Sequence, residues 1–169
     1  MQYQQLSIPP AAPFPNSSLP VILYPGCQEP RDDLADAFLR LFQRNGWGGG
    51  WVNGVYSFHH FHAAAHEALG CARGWVTVRL GGPQGQDVTL RQGDAVLLPA
   101  GVGHFNMEAS PDYVIVGAYP PGQSPDLQRG SMADYERLRL RAAAVPPPSS
   151  DPVLGQAGGI LDVVRQGRE

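Results

Sequence analysis

From Gly54 to Tyr119 the chain runs in short apolar-rich stretches broken by turn residues. Strands are predicted at 54–62, 67–73, 75–80, 86–90, 95–98, 104–108 and 113–119, with Gly81-Gly82, Gln92-Gly93 and Pro99-Ala100-Gly101 between them. Segments this short, with turns this close, describe an antiparallel meander. Side chains on a strand alternate between faces, so Tyr56, Phe58, His60 and His62 share one face, and Glu67, Leu69 and Cys71 can join it inside a small barrel. Before this region the pattern changes period. Leu34, Phe38, Leu41 and Phe42 recur at helical spacing between Asp33 and Asn45, with Asp32 or Asp33 as N-cap and Gly46 as the stop, which predicts a helix packed on the barrel's outside. A second helix is predicted over Met132–Ala144, where Tyr135, Leu138 and Ala142 recur.

The ends differ from the middle. Residues 1–20 are polar and proline-rich and read as an arm, and Val21–Tyr24 reads as a first short strand. Residues 21–145 form one domain with its flanking helices. Residues 146–169 begin as a proline-rich linker and end in a tail whose Ile160, Leu161, Val163 and Val164 are apolar enough to dock on the barrel or on a partner chain. With 169 residues, 21 of them glycine and 17 proline, the chain suits a single turn-rich β domain.

Charge removes several classes of function. A net charge of −3 without a basic stripe gives no electrostatic case for nucleic acid. All twelve cationic side chains are arginine, so chemistry that needs a lysine, such as a Schiff base or a P-loop, is excluded. Cys27 and Cys71 are too few for a disulfide scaffold, and no stretch approaches the roughly 18 apolar residues of a membrane span. A reduced, cytoplasmic, unexported protein is expected.

The chemistry concentrates in the histidines. His59, His60, His62 and His66 crowd into eight residues, Glu67 follows, and the fifth histidine, His104, stands after the Pro99-Ala100-Gly101 turn. On an extended strand the His60 and His62 side chains project together while His59 points the other way. Imidazoles and a carboxylate in this combination suit iron, manganese, nickel, copper or zinc. Either Glu67 or His66 can complete the set with His104. Adjacent strand residues face opposite ways, so both together are not expected. Tyr56, Phe58, Phe105, Tyr113 and Tyr119 are candidate walls of a substrate pocket, and Cys71 reads as a small buried hydrophobe.

These residues also carry a family resemblance. Gly54, His60, His62, Glu67 and Gly74 match the first cupin motif, G-x5-H-x-H-x4-E-x6-G, at every fixed position. Gly93, Pro99, Gly101 and His104 match the second, G-x5-P-x-G-x2-H-x3-N, whose closing asparagine is replaced by Glu108, with Asn106 two residues earlier. Asn45-Gly46-Trp47, His66-Glu67-Ala68-Leu69-Gly70, Val116-Gly117-Ala118-Tyr119-Pro120 and Asp151-Pro152-Val153 resemble the YjlB-like single-domain cupins, over roughly residues 15–160. The resemblance implies an all-β, cupin-type antiparallel barrel (jelly roll) with one N-terminal and one C-terminal helix outside it. It also implies one divalent transition metal on His60, His62, Glu67 and His104, the count back from Gly74 favouring Glu67 over His66.

Such a set leaves coordination positions open for water, dioxygen or a chelating substrate. The expected function is a small-molecule enzyme in which Glu67 also serves as the catalytic carboxylate. Dioxygenase-type oxidation of an enolic, catecholic or β-dicarbonyl compound is favoured over Lewis-acid isomerisation or cyclisation. The rival is a small-molecule-binding or sensor cupin without catalysis. A homodimer is expected, because a short barrel leaves strand edges to cover.

Overall fold

The period-two segments from 67 onward form strands and the period-3.6 segments form helices in the computed structural model, which describes residues 2–168. In chain order the described elements are β1 (Gln4–Ile8), β2 (Ser17–Tyr24), α1 (Leu34–Arg44), β3 (Gly48–Asn53), β4 (Glu67–Arg73) and β5 (Trp75–Leu80). They continue with β6 (Gln86–Arg91), β7 (Ala95–Leu98), β8 (His104–Ala109), β9 (Val114–Tyr119), α2 (Tyr135–Ala143) and α3 (Ile160–Gln166). The strands make two antiparallel sheets, one of six in the order β1-β2-β7-β4-β9-β3 and one of three in the order β6-β5-β8. The molecule is therefore mostly β with three short helices, one more than the two expected. The described strand ladders hold two separate sheets rather than one closed barrel, which is how a double-sheet jelly roll is built.

Parity on β4 separates two cores. Leu69 and Cys71 point to the inter-sheet side, where they pack with Val76, Val78, Leu80 and Ile115. Ala68 and Ala72 point the other way and meet Leu34, Phe38 and Phe42 of α1. Between them Gly70 has no alternative, since a Cβ there would lie 2.5 Å from the Phe38 ring. Burying each of the three large α1 side chains contributes about 1.5–3 kcal/mol. Gly46, at φ 84°, ends the helix as its position predicts, donating to the Gln43 carbonyl at 3.0 Å.

Three segments depart from their predicted form. Residues 54–62 are largely irregular, with only isolated bridges from His60 to His104 and from Phe61 to Gln128, and the regular strand lies just before them as β3. Within 1–20, residues 4–8 pair with β2 and extend the large sheet. The apolar tail forms α3 and docks through Ile160 and Leu161 on the core beneath α1. No described helix is long and apolar enough to cross a membrane.

Candidate metal centre

The two motifs converge because their backbones are hydrogen-bonded to each other. His60 and His104 exchange N–H···O bonds of 3.1 and 2.8 Å, which sets their rings 4.0 Å apart, and Gly101 donates to the His62 carbonyl at 2.8 Å. Glu67 opens β4 on the inner parity. Its Oε1 lies 3.4 Å from His62 Nε2 and 3.3 Å from His104 Nε2, and one ring nitrogen of each of His60, His62 and His104 falls within 4.8 Å of the others. Atoms bound at about 2.1 Å to one tetrahedral or octahedral ion stand about 3.0–3.4 Å apart, so Glu67 stands at that spacing from His62 and His104, while the group within mutual reach of one ion is His60, His62 and His104.

The outer hydrogen bonds fix which nitrogen faces inward. The Nδ1 atoms of His60 and His104 each lie 3.0 Å from a carbonyl, of Phe58 and Val102, and His62 Nδ1 meets the carbonyl of Asp126. A carbonyl only accepts, so each Nδ1 carries a hydrogen and each Nε2 is the nitrogen left for the centre, open to a cation once any proton shared with Glu67 has gone. Burial, reinforced by its histidine neighbours, pushes His60 down to about 3 and keeps it neutral. Burial alone would also raise Glu67, but hydrogen bonds from His104 and His62 outweigh it and hold the carboxylate ionised. For His62, burial is outweighed by the Glu67 carboxylate, and its pKa rises. An arriving cation would displace the proton that Glu67 holds there.

His66 stands apart from this group. Its Nδ1 accepts from the Ala100 N–H at 2.9 Å, so Nε2 is the donor, and it bonds the Pro146 carbonyl at 2.8 Å. Both ring nitrogens are used in joining the Pro99–Gly101 turn to the C-terminal segment. His59 turns away from the pair as parity requires and stacks on Phe105 at 4.4 Å.

A cavity of about 520 Å³ opens over the histidines and Glu67. Of the five aromatic residues expected to line it, Tyr56, Tyr113 and Tyr119 do so, and Phe58 and Phe105 do not. Phe105 follows His104 on β8 and so faces the opposite side. Phe58 stacks behind Tyr56 at 4.7 Å, with the Arg129 guanidinium 3.7 Å over its other face. The Tyr113 hydroxyl is held by Asn106 Nδ2 at 3.1 Å, giving a use to the asparagine displaced from the second motif, while Glu108 is exposed.

Sequence reasoning missed Trp51 and Asp126. Trp51 comes from β3, outside any predicted strand. Asp126 lies in the turn after β9, where Oδ1 accepts the N–H groups of Ala63 and Ala64 at 2.8 Å each while its carbonyl takes His62 Nδ1. One residue thus holds both the ligand loop and the ligand ring. The signal available was Ser124-Pro125-Asp126, a turn sequence whose carboxylate seeks backbone N–H groups.

Two facing antiparallel sheets and two histidine-bearing motifs converging on one buried carboxylate define a cupin. The chain is 34% identical over 124 residues to the uncharacterised protein YjlB of Bacillus subtilis (strain 168), spanning 73% of this chain and 75% of that protein, and it belongs to the YjlB-like cupins. No family model matches it. Among solved structures it is similar to the acireductone dioxygenase from Bacillus anthracis with a cadmium ion in its active centre. That likeness has 15% identity, covers 73% of this chain and 81% of the other, and has a TM-score of 0.38. It is also similar to the QdtA 3,4-ketoisomerase from Thermoanaerobacterium thermosaccharolyticum, with 16% identity, 54% and 71% coverage and a TM-score of 0.39. Likenesses of this degree carry no argument about activity.

Proposed function

We propose that the chain is a metal-dependent enzyme acting on a small, oxygen-chelating substrate, with His60, His62, Glu67 and His104 as the ligands of one divalent transition metal. The observation that carries this reading is the orientation of the imidazoles. Three Nδ1–H groups are tied to carbonyls, which leaves three Nε2 atoms directed inward, and those of His62 and His104 flank a buried carboxylate at the floor of a cavity. Bound there, a redox-active ion would supply electron transfer for dioxygenase-type oxidation of an enolic, catecholic or β-dicarbonyl compound, and a redox-silent one Lewis acidity for isomerisation or cyclisation.

The cavity walls narrow the substrate. Trp51, Tyr56, Tyr113 and Tyr119 offer flat apolar faces, and the ionisable carboxyl groups there are Glu67 and Asp126. No arginine is among the described lining residues and the chain has no lysine, so a phosphate or sugar nucleotide would meet no cation apart from the metal. The substrate we favour is therefore planar and carries no charge beyond the oxygens that chelate. Elemental analysis of the purified protein, then oxygen consumption and product analysis with a panel of enolic compounds, tests this. About one metal ion per chain and turnover of a neutral enol are expected. A protein that takes up none of iron, manganese, nickel, copper or zinc removes the reading, and tight binding of such compounds without turnover favours the sensor alternative.

The same proposal includes a homodimer in a reducing, cytoplasmic setting. The flanks of the large sheet support the dimer, because β3 is an edge strand with exposed Gly48–Gly50 and Val52. A monomer mass by light scattering at micromolar concentration would contradict it. Unbonded Cys27 and Cys71 are compatible with the compartment.

A further inference from the structure

Beside Glu67 lies a hydrogen-bonded pair that the metal-ligand reading does not use. β4 and β9 are neighbours with Ala68 opposite Ala118, so the next antiparallel pair on the inner face is Glu67 and Tyr119. On the far side of β9, Trp51 of β3 pairs with Gly117. The indole lies flat across that glycine, where a Cβ would come within 2.1 Å of the ring, and reaches the Tyr119 hydroxyl with Nε1 at 2.8 Å. A glycine inside a central strand weakens it by roughly 0.5–1 kcal/mol relative to alanine, so Gly117 makes sense as the space that lets the indole arrive.

The chemistry of the pair is directional. An indole N–H only donates, so the phenol oxygen accepts from Trp51 and the phenol hydrogen must point elsewhere. Across the β4–β9 register, the acceptor that shares the inner face and the cavity wall with it is the Glu67 carboxylate. Tyr119 also sets its ring edge-on to that of His62, with centroids 6.4 Å apart. One buried side chain therefore stands beside two of the four proposed ligands, and its hydroxyl is more than packing, since phenylalanine would fill the same volume.

We infer that Tyr119 is a positioning residue for the metal centre: Trp51 fixes its hydroxyl as a donor, and that donor holds the Glu67 carboxylate turned so that Oε1 is presented between His62 and His104. This rests on Glu67 being a ligand, and it adds a reason why the carboxylate adopts one orientation. Without the phenol donor the carboxylate is free to rotate and to offer both oxygens.

Cobalt(II) titration of the metal-stripped full chain tests this, following both affinity and the visible ligand-field spectrum, with metal-free thermal melting alongside. Tyr119→Phe is expected to melt close to wild type but to bind cobalt about ten- to hundred-fold more weakly, with an altered ligand-field band. Trp51→Phe should shift the same band in the same direction by less, because the phenol remains but has lost the partner that aims it. Packing alone would move the melting temperature and leave the band in place. Tyr119→Phe with affinity within two-fold of wild type and an unchanged band overturns the positioning role while leaving the metal centre intact. A wild-type chain that takes up no cobalt overturns the metal reading and this inference with it.

Discussion

Glu67 and Asp151 are both buried carboxylates, 3% and 0% exposed, yet their surroundings are opposite in kind. Asp151 is enclosed by neutral donors. Tyr24 Oη donates to Oδ2 at 2.7 Å, Ile160 N to Oδ2 at 2.8 Å, and Val153 N and Leu154 N to Oδ1 at 2.9 and 2.8 Å. Its charge is consumed in tying β2, the 151–154 turn and the start of α3 together, and Gly159 is needed because a Cβ there would fall 1.9 Å from Oδ2. Glu67 instead faces the Nε2 atoms of His62 and His104, whose Nδ1 sides are tethered to carbonyls, and on the proposed reading a cation would take the place of the protons shared there. A buried carboxylate finished by backbone and phenol donors ties a fold together, and one facing titratable imidazoles that a metal can claim marks a place for chemistry.

Removing ligands should produce the largest change and the cleanest contrast. Glu67→Gln and His104→Ala are each expected to lower metal affinity more than 100-fold, on the order of 3 kcal/mol, while the metal-free chain keeps its fold. Metal content after dialysis, with circular dichroism on the same samples, checks both halves. Retention in Glu67→Gln would break the assignment of Glu67 to the first coordination shell.

Asp151→Ala is the mirror experiment. Three backbone N–H groups and the Tyr24 hydroxyl would lose their acceptor together, a destabilisation of about 3–5 kcal/mol. Urea unfolding should show it, and zinc or cobalt uptake by the fraction still folded should match wild type. Asp151→Asn turns an NH2 toward some of those donors and should recover only part of the loss.

How much of this was legible beforehand depends on the range of the forces involved. The strands at 67–73, 75–80 and 95–98 were readable because alternation and turn residues are local. The convergence of His60, His62 and His104 was readable because the motif spacing is local too, and His60 and His62 stay side by side even though 54–62 is not the strand its alternation suggested. Asp126 and Trp51 were not readable: each acts on a segment more than 60 residues away, and no periodicity encodes that meeting. Phe105 was assigned to the pocket by its aromatic character, when its position next to His104 already placed it on the other face. The clasp at Asp151 likewise joins partners 127 residues apart, which a proline-rich linker conceals.

Neighbouring residues give a smaller but sharper test. His66→Ala removes two buried hydrogen bonds, to Ala100 and Pro146, and should destabilise the chain by about 1–3 kcal/mol without changing metal retention. That is the reverse of Glu67→Gln. Metal lost in His66→Ala and kept in Glu67→Gln would exchange the roles assigned to the two residues.

The smallest effect concerns pH and belongs to the Asp151 side of the comparison. Burial, then the charge of Asp151 and a hydrogen bond to it, push Tyr24 well above the ordinary phenol value. Burial likewise pushes Cys27 up to about 12 and Cys71 up to about 11. All three groups are neutral when protonated, and all three hold their protons more tightly folded than unfolded. Their contribution is therefore complete below about pH 9 and drains away as pH rises, first through the thiols and then, above about 10, through the phenol. The urea midpoint should stay level from pH 7 to 8.5 and fall steadily from 9 to 11. At pH 8 neither thiol of the native chain should react readily with a disulfide reagent, whereas urea should release both. Asp151→Asn removes the anion that Tyr24 would have to face on ionising, so its midpoint should fall less steeply above pH 10 than that of wild type. Parallel slopes for the two proteins would show that burial alone, and not the carboxylate, governs this end of the molecule.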